Sequence, residues 1–196
     1  MKIYILGGFL GSGKTTLLMK MADKLIEKGN KVSILVNEAG SIGVDGTTMK
    51  NDGYNSVELP SGCICCSLAG TMQDALINIK KDYNPDVLII EPTGLAFSGK
   101  VKEAIQLIDY PAEIIRIVGI FDGPRFKLFT SKKQEFYQKQ LEDSDLLVMN
   151  KMDLTPEPVK KEAVEWMNAN IPGRKVFQVV GTTGEGLDAV FKELDI

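Results

Sequence analysis

Histidine is absent from this sequence of 196 residues, so no imidazole can act as a general base or bind a metal. Any transition-metal site must therefore use sulfur and oxygen ligands. Cysteine is scarce, with three residues that all lie in one short stretch. This usage argues against the disulfide framework of a secreted protein and favours a reducing compartment, so we expect a cytoplasmic protein.

The chain also lacks long apolar runs and an excess of charge of one sign. No apolar run approaches the roughly 18 residues of a membrane-spanning helix, and the apolar N-terminus is typical of a strand, not of a signal peptide. The 23 basic and 26 acidic residues are interspersed and give a net charge of −3, so neither nucleic acid nor a membrane is expected as a partner. No repeat or linker divides the chain, and we expect residues 1–196 to form a single domain.

A glycine-rich stretch follows the first apolar run. Residues 8–15 have the sequence GFLGSGKT, which matches the P-loop pattern G-x-x-x-x-G-K-[ST]. In such a loop the backbone N–H groups converge on the β-phosphate, and the helix that follows adds its positive N-terminus. Lys14 would reach the β- and γ-phosphates, and the Thr15 hydroxyl would bind Mg²⁺. The nucleotide-binding residues predicted here are Gly8, Gly11, Ser12, Gly13, Lys14, Thr15 and Thr16.

Strands and helices alternate along the rest of the chain. Predicted strands cover residues 31–36, 86–91, 114–121, 146–150 and 175–180, and predicted helices cover residues 67–81, 97–108, 155–170 and 187–194. A stretch rich in basic, aromatic and glutamine residues, 125–141, is predicted to form a solvent-exposed helix pair. The alternation predicts the α/β fold of a three-layer P-loop NTPase, with a mostly parallel, doubly wound sheet and the nucleotide at the carboxyl ends of the strands.

A first candidate switch segment lies directly after the second predicted strand. Residues 37–46 are glycine-rich, lack periodicity and carry two carboxylates, Glu38 and Asp45. Both are candidates for contacts to metal or water, and a plain connecting loop is the alternative. Since histidine is absent and no glutamine stands at a catalytic position, water positioning could depend on Asp45, and turnover should be slow.

A second candidate switch segment begins at the end of the strand at residues 86–91. Glu91 is the last residue of this strand, and Gly94 follows three residues later. We expect Glu91 in the Mg²⁺ shell and the Gly94 N–H at the γ-phosphate; an exposed strand-end glutamate is the alternative. The predicted catalytic residues are Lys14, Asp45, Glu91 and Gly94, and the predicted Mg²⁺ ligands are Thr15 and Glu91.

The three cysteines form a C-x-C-C motif at Cys63, Cys65 and Cys66. They cannot all pack in a core because adjacent side chains point in different directions, and a disulfide between sequence neighbours requires strained geometry. Thiolates prefer Zn²⁺ and late transition metals, so the motif predicts a metal site with one open position. Glu38, water or a sulfur from a second subunit could fill it. A redox-reactive thiol cluster and buried structural cysteines are the alternatives.

A base-recognition motif, N-K-M-D at residues 150–153, follows another apolar strand. The Asp153 carboxylate can accept two hydrogen bonds from the N1–H and N2–H₂ edge of guanine, which adenine lacks. Asn150 would support the pocket, and the Lys151 stem would pack over the ring. The motif therefore predicts GTP as the nucleotide.

These motifs together resemble the CobW/HypB/UreG family of P-loop GTPases, over nearly the whole chain. The segments that carry the resemblance are the P-loop, N-E-x-G at 37–40 with Asp45, G-C-I-C-C at 62–66, E-P-T-G at 91–94 and N-K-M-D at 150–153. The cysteine motif looks most like the CobW branch, whose members are similar to metal chaperones that couple GTP hydrolysis to delivery of zinc, cobalt or nickel. The resemblance implies GTP and Mg²⁺ as cofactors, a transition metal such as Zn²⁺ or Co²⁺ on the cysteines, and a client metalloenzyme or metal-centre assembly protein, such as a cobalamin-related system.

The sequence departs from the CobW pattern at three points. The usual C-terminal domain and histidine-rich tract are not present, so we expect a CobW-like member without that domain. Ser41 stands where many relatives have an acidic residue. Val180 and Gly181 replace a Ser-Ala pair that contacts the guanine O6 through backbone N–H; because that contact is made by the backbone, both remain predicted nucleotide-binding residues.

Two other functions fit the same motifs. A nucleotide-gated interaction module could regulate a partner enzyme without metal transfer, and a small-molecule kinase could use the same P-loop. If a second subunit completes the metal site, the protein would form a nucleotide-dependent homodimer.

Overall fold

The computed structural model describes residues 1–36, 55–58, 68–107 and 110–196. Its strands are β1 (Lys2–Gly8), β2 (Val32–Val36), β3 (Asn55–Glu58), β4 (Val87–Glu91), β5 (Ile114–Asp122), β6 (Leu146–Asn150) and β7 (Val176–Gln178). Its helices are α1 (Lys14–Glu27), α2 (Leu68–Asp82), α3 (Ser98–Leu107), α4 (Phe126–Lys132), α5 (Gln134–Leu141), α6 (Glu157–Asn170) and α7 (Leu187–Leu194), with a 3₁₀ helix at Met152–Leu154. None of the helices in these ranges is long and apolar enough to cross a membrane.

The described strands form one sheet in the order β3-β2-β4-β1-β5-β6-β7. Every neighbouring pair is parallel, which confirms the predicted α/β architecture. β1 lies between β4 and β5, and the chain adds strands outward on both sides of it. The carboxyl ends of parallel strands flank a crevice at such a point, and β1 delivers the P-loop directly into it.

Helices cover both faces of β1. Successive side chains along a strand point to opposite faces, so its residues divide between two buried clusters. Tyr4 and Leu6 belong to a buried cluster that includes residues of α1 and α7. Ile3 and Ile5 belong to a second cluster, on the other face, that includes residues of α2 and α3. Burial on both faces explains why the first strand is a continuous apolar run instead of an alternating one.

The helices α4 and α5 are the predicted helix pair, but the prediction that this pair is solvent-exposed is wrong. Phe126, Tyr137 and Leu141 are buried. Phe9 of the P-loop stacks on Phe129, with ring centroids 4.5 Å apart, and on Tyr137 at 5.4 Å. The charged residues of the pair stay exposed, together with Leu128, Ser131 and Gln134. The aromatic residues therefore form a third core that supports the P-loop.

Two strands differ from the sequence-based expectation. β3 has no counterpart among the predicted strands, since its four residues show neither an apolar run nor a clean alternation, yet it pairs with β2 at the edge of the sheet. The last strand, predicted for residues 175–180, is shorter than expected. Val180 lies outside β7 and instead forms an antiparallel bridge to Glu185.

Two tyrosines provide a matched test of this packing. The Tyr4 hydroxyl donates to the Leu194 carbonyl at 2.8 Å, and burial raises the pKa of Tyr4 to about 12. The Tyr137 hydroxyl is buried with no hydrogen-bond partner within the described part of the chain. Tyr4→Phe should lower the free energy of unfolding by about 1 kcal/mol in urea denaturation, because a buried carbonyl loses its donor. Tyr137→Phe should leave it unchanged or raise it; an equal loss in both variants would contradict the contrast.

Candidate functional site

The P-loop turns sharply between β1 and α1. Gly13, directly before the helix, has φ of 97°, in the left-handed region that favours glycine. A Cβ at this position would lie 2.1 Å from the Asn150 side-chain nitrogen. Glycine is therefore required here both by the backbone conformation and by the approach of Asn150.

Four consecutive carbonyl oxygens of the loop accept hydrogen bonds from long side chains. Lys14 Nζ donates to the Phe9 carbonyl at 3.2 Å. The other three donors come from outside the loop: Arg125 Nη2 to Leu10 at 2.9 Å, Lys151 Nζ to Gly11 at 2.7 Å and Asn150 Nδ2 to Ser12 at 2.9 Å. Three of the four carbonyls are thus satisfied by donors that lie at or just after the ends of β5 and β6.

The floor of the phosphate site contains Lys14, Thr15 and Glu91. The Thr15 hydroxyl donates to Glu91 Oε1 at 3.0 Å, and Lys14 Nζ lies 4.0 Å from the same oxygen. Lys14 and Glu91 are each only 3% exposed. These residues line part of a cavity of about 370 Å³. A hydroxyl and a buried carboxylate are oxygen ligands of the kind that Mg²⁺ prefers, so this pair fits the ion.

Gly94 lies against the outer turn of the P-loop. A Cβ on Gly94 would be 2.6 Å from the Leu10 backbone nitrogen, so the segment after β4 and the loop touch through their backbones. Gly94 and Glu91, which the sequence places in one switch segment, both lie beside the P-loop in the structure. No larger residue fits at position 94 without moving one of the two segments.

A second cavity, of about 190 Å³, adjoins the first. Its lining includes Asp153, Val180, Gly181 and Asn150, which the sequence analysis assigns to the base. The Asn150 Oδ1 accepts hydrogen bonds from the Lys151 N–H at 2.8 Å and the Gly181 N–H at 2.9 Å. Asn150 therefore joins three segments, because its side-chain nitrogen also binds the P-loop.

The two cavities share three lining residues, Gly13, Thr16 and Lys151. Lys151 has φ of 64°, an uncommon conformation for a residue other than glycine. The Thr155 hydroxyl donates to the Lys151 carbonyl at 2.7 Å, and Lys151 Nζ donates to the Gly11 carbonyl of the P-loop. The arrangement provides one continuous site with a phosphate end and a base end.

Two residues of the site, Asp122 and Arg125, were not predicted from the sequence. Asp122 ends β5 and is only 2% exposed, and its Oδ2 contacts Lys151 Nζ at 2.8 Å and Arg125 Nη2 at 2.8 Å. A usable signal was present, since Asp122 ends a buried apolar strand in the same way as Glu91. Its Cα is in register with Asn150 on β6.

The other predicted metal and switch residues lie outside the described residues. These are Glu38, Asp45, Cys63, Cys65 and Cys66. In the ranges that the structure does describe, no group of three or more cysteine, aspartate or glutamate side chains is placed to hold a metal ion.

The fold and the two joined cavities define a P-loop nucleotide-binding domain. The family model of the CobW/HypB/UreG nucleotide-binding domain matches residues 2–178. The chain belongs to this family of P-loop GTPases, and the resemblance drawn from its motifs is confirmed.

Individual relatives show how far the similarity extends. The chain is 35% identical over 180 residues to the zinc chaperone YeiR of Escherichia coli (strain K12), covering 88% of this chain and 53% of YeiR. It is 27% identical over 222 residues to the zinc chaperone CobW of Sinorhizobium sp, covering 98% and 62%. The crystal structure of the hydrogenase maturation factor HypB from Archaeoglobus fulgidus shares the fold, with a TM-score of 0.72 at 18% identity over 100% and 89% of the two chains. The chain thus spans between half and two thirds of the length of these two curated relatives.

Alanine variants of two glycines with positive φ distinguish the effect of backbone strain from the effect of a steric clash with Asn150. Gly29 has φ of 83° and open space around a Cβ, whereas a Cβ on Gly13 meets Asn150. Gly29→Ala should cost about 1 kcal/mol of stability and retain GDP binding. Gly13→Ala should lower GDP affinity about a hundredfold, since the Asn150 side chain must move away from the new Cβ and its hydrogen bonds to Ser12 and Gly181 are lost. Thermal unfolding and calorimetric titration with GDP measure both; equal GDP affinities in the two variants would contradict the role of Gly13.

Proposed function

We propose that this domain binds Mg·GTP, hydrolyses GTP slowly, and couples its nucleotide state to the binding and delivery of a transition metal. The observation that carries the proposal is the continuity of the phosphate and base cavities, which share the lining residues Gly13, Thr16 and Lys151. Asn150 lines the base cavity and links it to the P-loop, because it contacts Ser12 on one side and Gly181 on the other. Such a site suits a purine nucleotide with its phosphates at the P-loop and its base at Asp153.

Lys14 and the backbone N–H groups of the P-loop would bind the β- and γ-phosphates. Thr15 and Glu91 would hold Mg²⁺, which neutralises charge on the phosphate oxygens during phosphoryl transfer. Burial of Glu91 keeps its carboxylate out of bulk water, and the Thr15 hydroxyl fixes one of its oxygens. The Gly94 N–H would donate to the γ-phosphate, and Asp45 would position the attacking water.

The predicted guanine contacts follow from the lining of the smaller cavity. Asp153 would accept from the guanine N1–H and N2–H₂ groups, and the backbone N–H groups of Val180 and Gly181 would lie near O6. The Gly181 N–H already donates to Asn150 Oδ1, so a contact from Gly181 to O6 would have to share that hydrogen. The Val180 N–H is itself used in the bridge to Glu185, so a donor role would require that bridge to open.

Strand register supports the coupling to metal. Val36, at the end of β2, is in register with Glu58 at the end of β3 and with Glu91 at the end of β4. The chain leaves β3 at Glu58 and reaches Cys63 five residues later, a span of at most about 18 Å. This chain length would allow the thiols to reach the sheet edge that carries Glu91.

Cys63, Cys65 and Cys66 would bind the cargo metal, with Glu38 as a further ligand. Zn²⁺ is the favoured cargo because thiolates suit it and because the relatives YeiR and CobW are named zinc chaperones. Co²⁺ and Ni²⁺ remain within the same ligand chemistry. The recipient would be a metalloenzyme or a metal-centre assembly protein in the cytoplasm, and a nucleotide-dependent homodimer would supply additional ligands.

Replacement of Asp153 tests the base assignment. Asp153→Asn should lower GTP affinity about a hundredfold, because two charge-assisted hydrogen bonds are lost. The same variant should gain affinity for xanthosine triphosphate, whose C2 carbonyl can accept from the asparagine amide. Calorimetric titration with both nucleotides measures the switch, and Glu157→Gln, which removes an exposed carboxylate nearby in sequence, is the control. Unchanged GTP affinity in Asp153→Asn would count against the base pocket.

The coupling is tested by metal titration of the purified protein. Zn²⁺ and Co²⁺ affinities should differ at least fivefold between protein bound to a non-hydrolysable GTP analogue, protein bound to GDP and protein without nucleotide. Cys65→Ser should weaken metal binding while GDP affinity is retained. Equal metal affinities in the three states would remove the coupling. If Cys65→Ser binds metal as tightly as the unmodified chain, the alternative of a nucleotide-gated interaction module is favoured instead.

A further inference from the structure

We propose that Arg125 and Asp122 are positioning residues that hold the P-loop in its phosphate-binding conformation from the outside. Neither residue belongs to the P-loop or to the N-K-M-D motif. The inference rests on the proposed nucleotide binding. We call the hydrogen bonds from Asp122 through Arg125 to the P-loop the tether, and it acts on the phosphate end of the site.

The tether begins at a buried carboxylate. Asp122 Oδ2 accepts from Arg125 Nε at 2.9 Å, and Oδ1 lies 3.4 Å from the Arg125 backbone nitrogen that donates to it. The guanidinium then donates from Nη2 to the Leu10 carbonyl at 2.9 Å. The guanidinium carbon of Arg125 lies 5.3 Å from the centroid of the Phe129 ring, so the ring contacts the guanidinium plane on a second side. Arginine can make these contacts at once because its donors form a rigid fork.

The peptide plane converts this outer contact into a property of the phosphate site. In a trans peptide the carbonyl of one residue and the N–H of the next point in opposite directions. A donor that holds the Leu10 carbonyl outward therefore points the Gly11 N–H inward, where Gly11 lines the phosphate cavity. Asn150 acts in the same way on the Ser12 carbonyl and thus on the Gly13 N–H.

Asp122 also links the tether to the base motif. The same Oδ2 that binds Arg125 lies 2.8 Å from Lys151 Nζ, which donates to the Gly11 carbonyl. A carboxylate that is only 2% exposed is costly unless it is paired. Here two cations pair with it, and both reach adjacent carbonyls of the loop. Asp122 thereby fixes the spacing between the two cations and the loop.

The role predicts a loss of affinity that depends on the phosphates. GDP uses the P-loop N–H groups, whereas guanosine has no phosphate and uses only the base pocket. Arg125→Ala should therefore lower GDP affinity about tenfold, the value of one hydrogen bond of ordinary strength, and change guanosine affinity less than twofold. Arg125→Lys should recover part of the GDP affinity, because one ammonium can reach Leu10 or Asp122 but lacks the fork.

Competition against a fluorescent GDP analogue measures both affinities, with Lys127→Ala as the matched control. Lys127 lies two residues further along the chain, in the first turn of α4, is largely exposed and pairs with Glu162, so its removal deletes a positive charge without touching the P-loop. It should leave both affinities unchanged. Thermal unfolding without nucleotide identifies any variant that has lost its fold. If Arg125→Ala has lost its fold, the GDP and guanosine affinities of Arg125→Lys are measured instead.

Three results would overturn the tether. Equal GDP affinity in Arg125→Ala and the unmodified chain would show that the contact has no positioning effect. A parallel loss of guanosine and GDP affinity would show a general distortion of the site. Absence of GDP binding in the unmodified chain would overturn the proposed function and the tether together, whereas the first two results leave nucleotide binding intact.

Discussion

A loop that directs backbone N–H groups at a phosphate must turn carbonyl groups the other way, and each of these needs a donor. In this domain the donors to the loop carbonyls are Lys14 from α1, Arg125 after β5, and Asn150 and Lys151 at the end of β6. The loop sequence alone provides only the first of them. The phosphate site is therefore complete only when the sheet has assembled and has brought the strand ends beside β1.

The buried polar residues of the site follow a single rule of parallel sheets. Glu91, Asp122 and Asn150 are each the last residue of a strand, on β4, β5 and β6. Parallel strands end at the same edge, so these residues collect around the P-loop although they are far apart in sequence. Burial of each is compensated by a specific partner, Thr15 for Glu91, two cations for Asp122 and three backbone groups for Asn150.

Apolar runs were sufficient to predict β1, β2, β4, β5 and β6, because strands buried on both faces leave a strong signal. Motif spacing predicted Lys14, Thr15, Asn150, Lys151 and Asp153 as site residues, and all five line the two cavities. The contact of Arg125 with Leu10 was not predictable, since it joins residues 115 positions apart outside any motif. The burial of α4 and α5 was missed for a similar reason, because the partner of their aromatic residues is Phe9. β3 is too short and polar to leave a pattern.

The placement of Asn150 limits how such a domain can be redesigned. One amide group fills its hydrogen bonds with the P-loop, with Lys151 and with the loop at Gly181. A base-recognition segment from a protein that binds another base could not be transferred alone. Replacement of Asn150 would also remove the hydrogen bond that holds the Ser12 carbonyl of the P-loop. Because Asn150 binds main-chain groups of residues 12 and 181, the constraint falls on position 150 itself and not on the identity of the side chains that it joins.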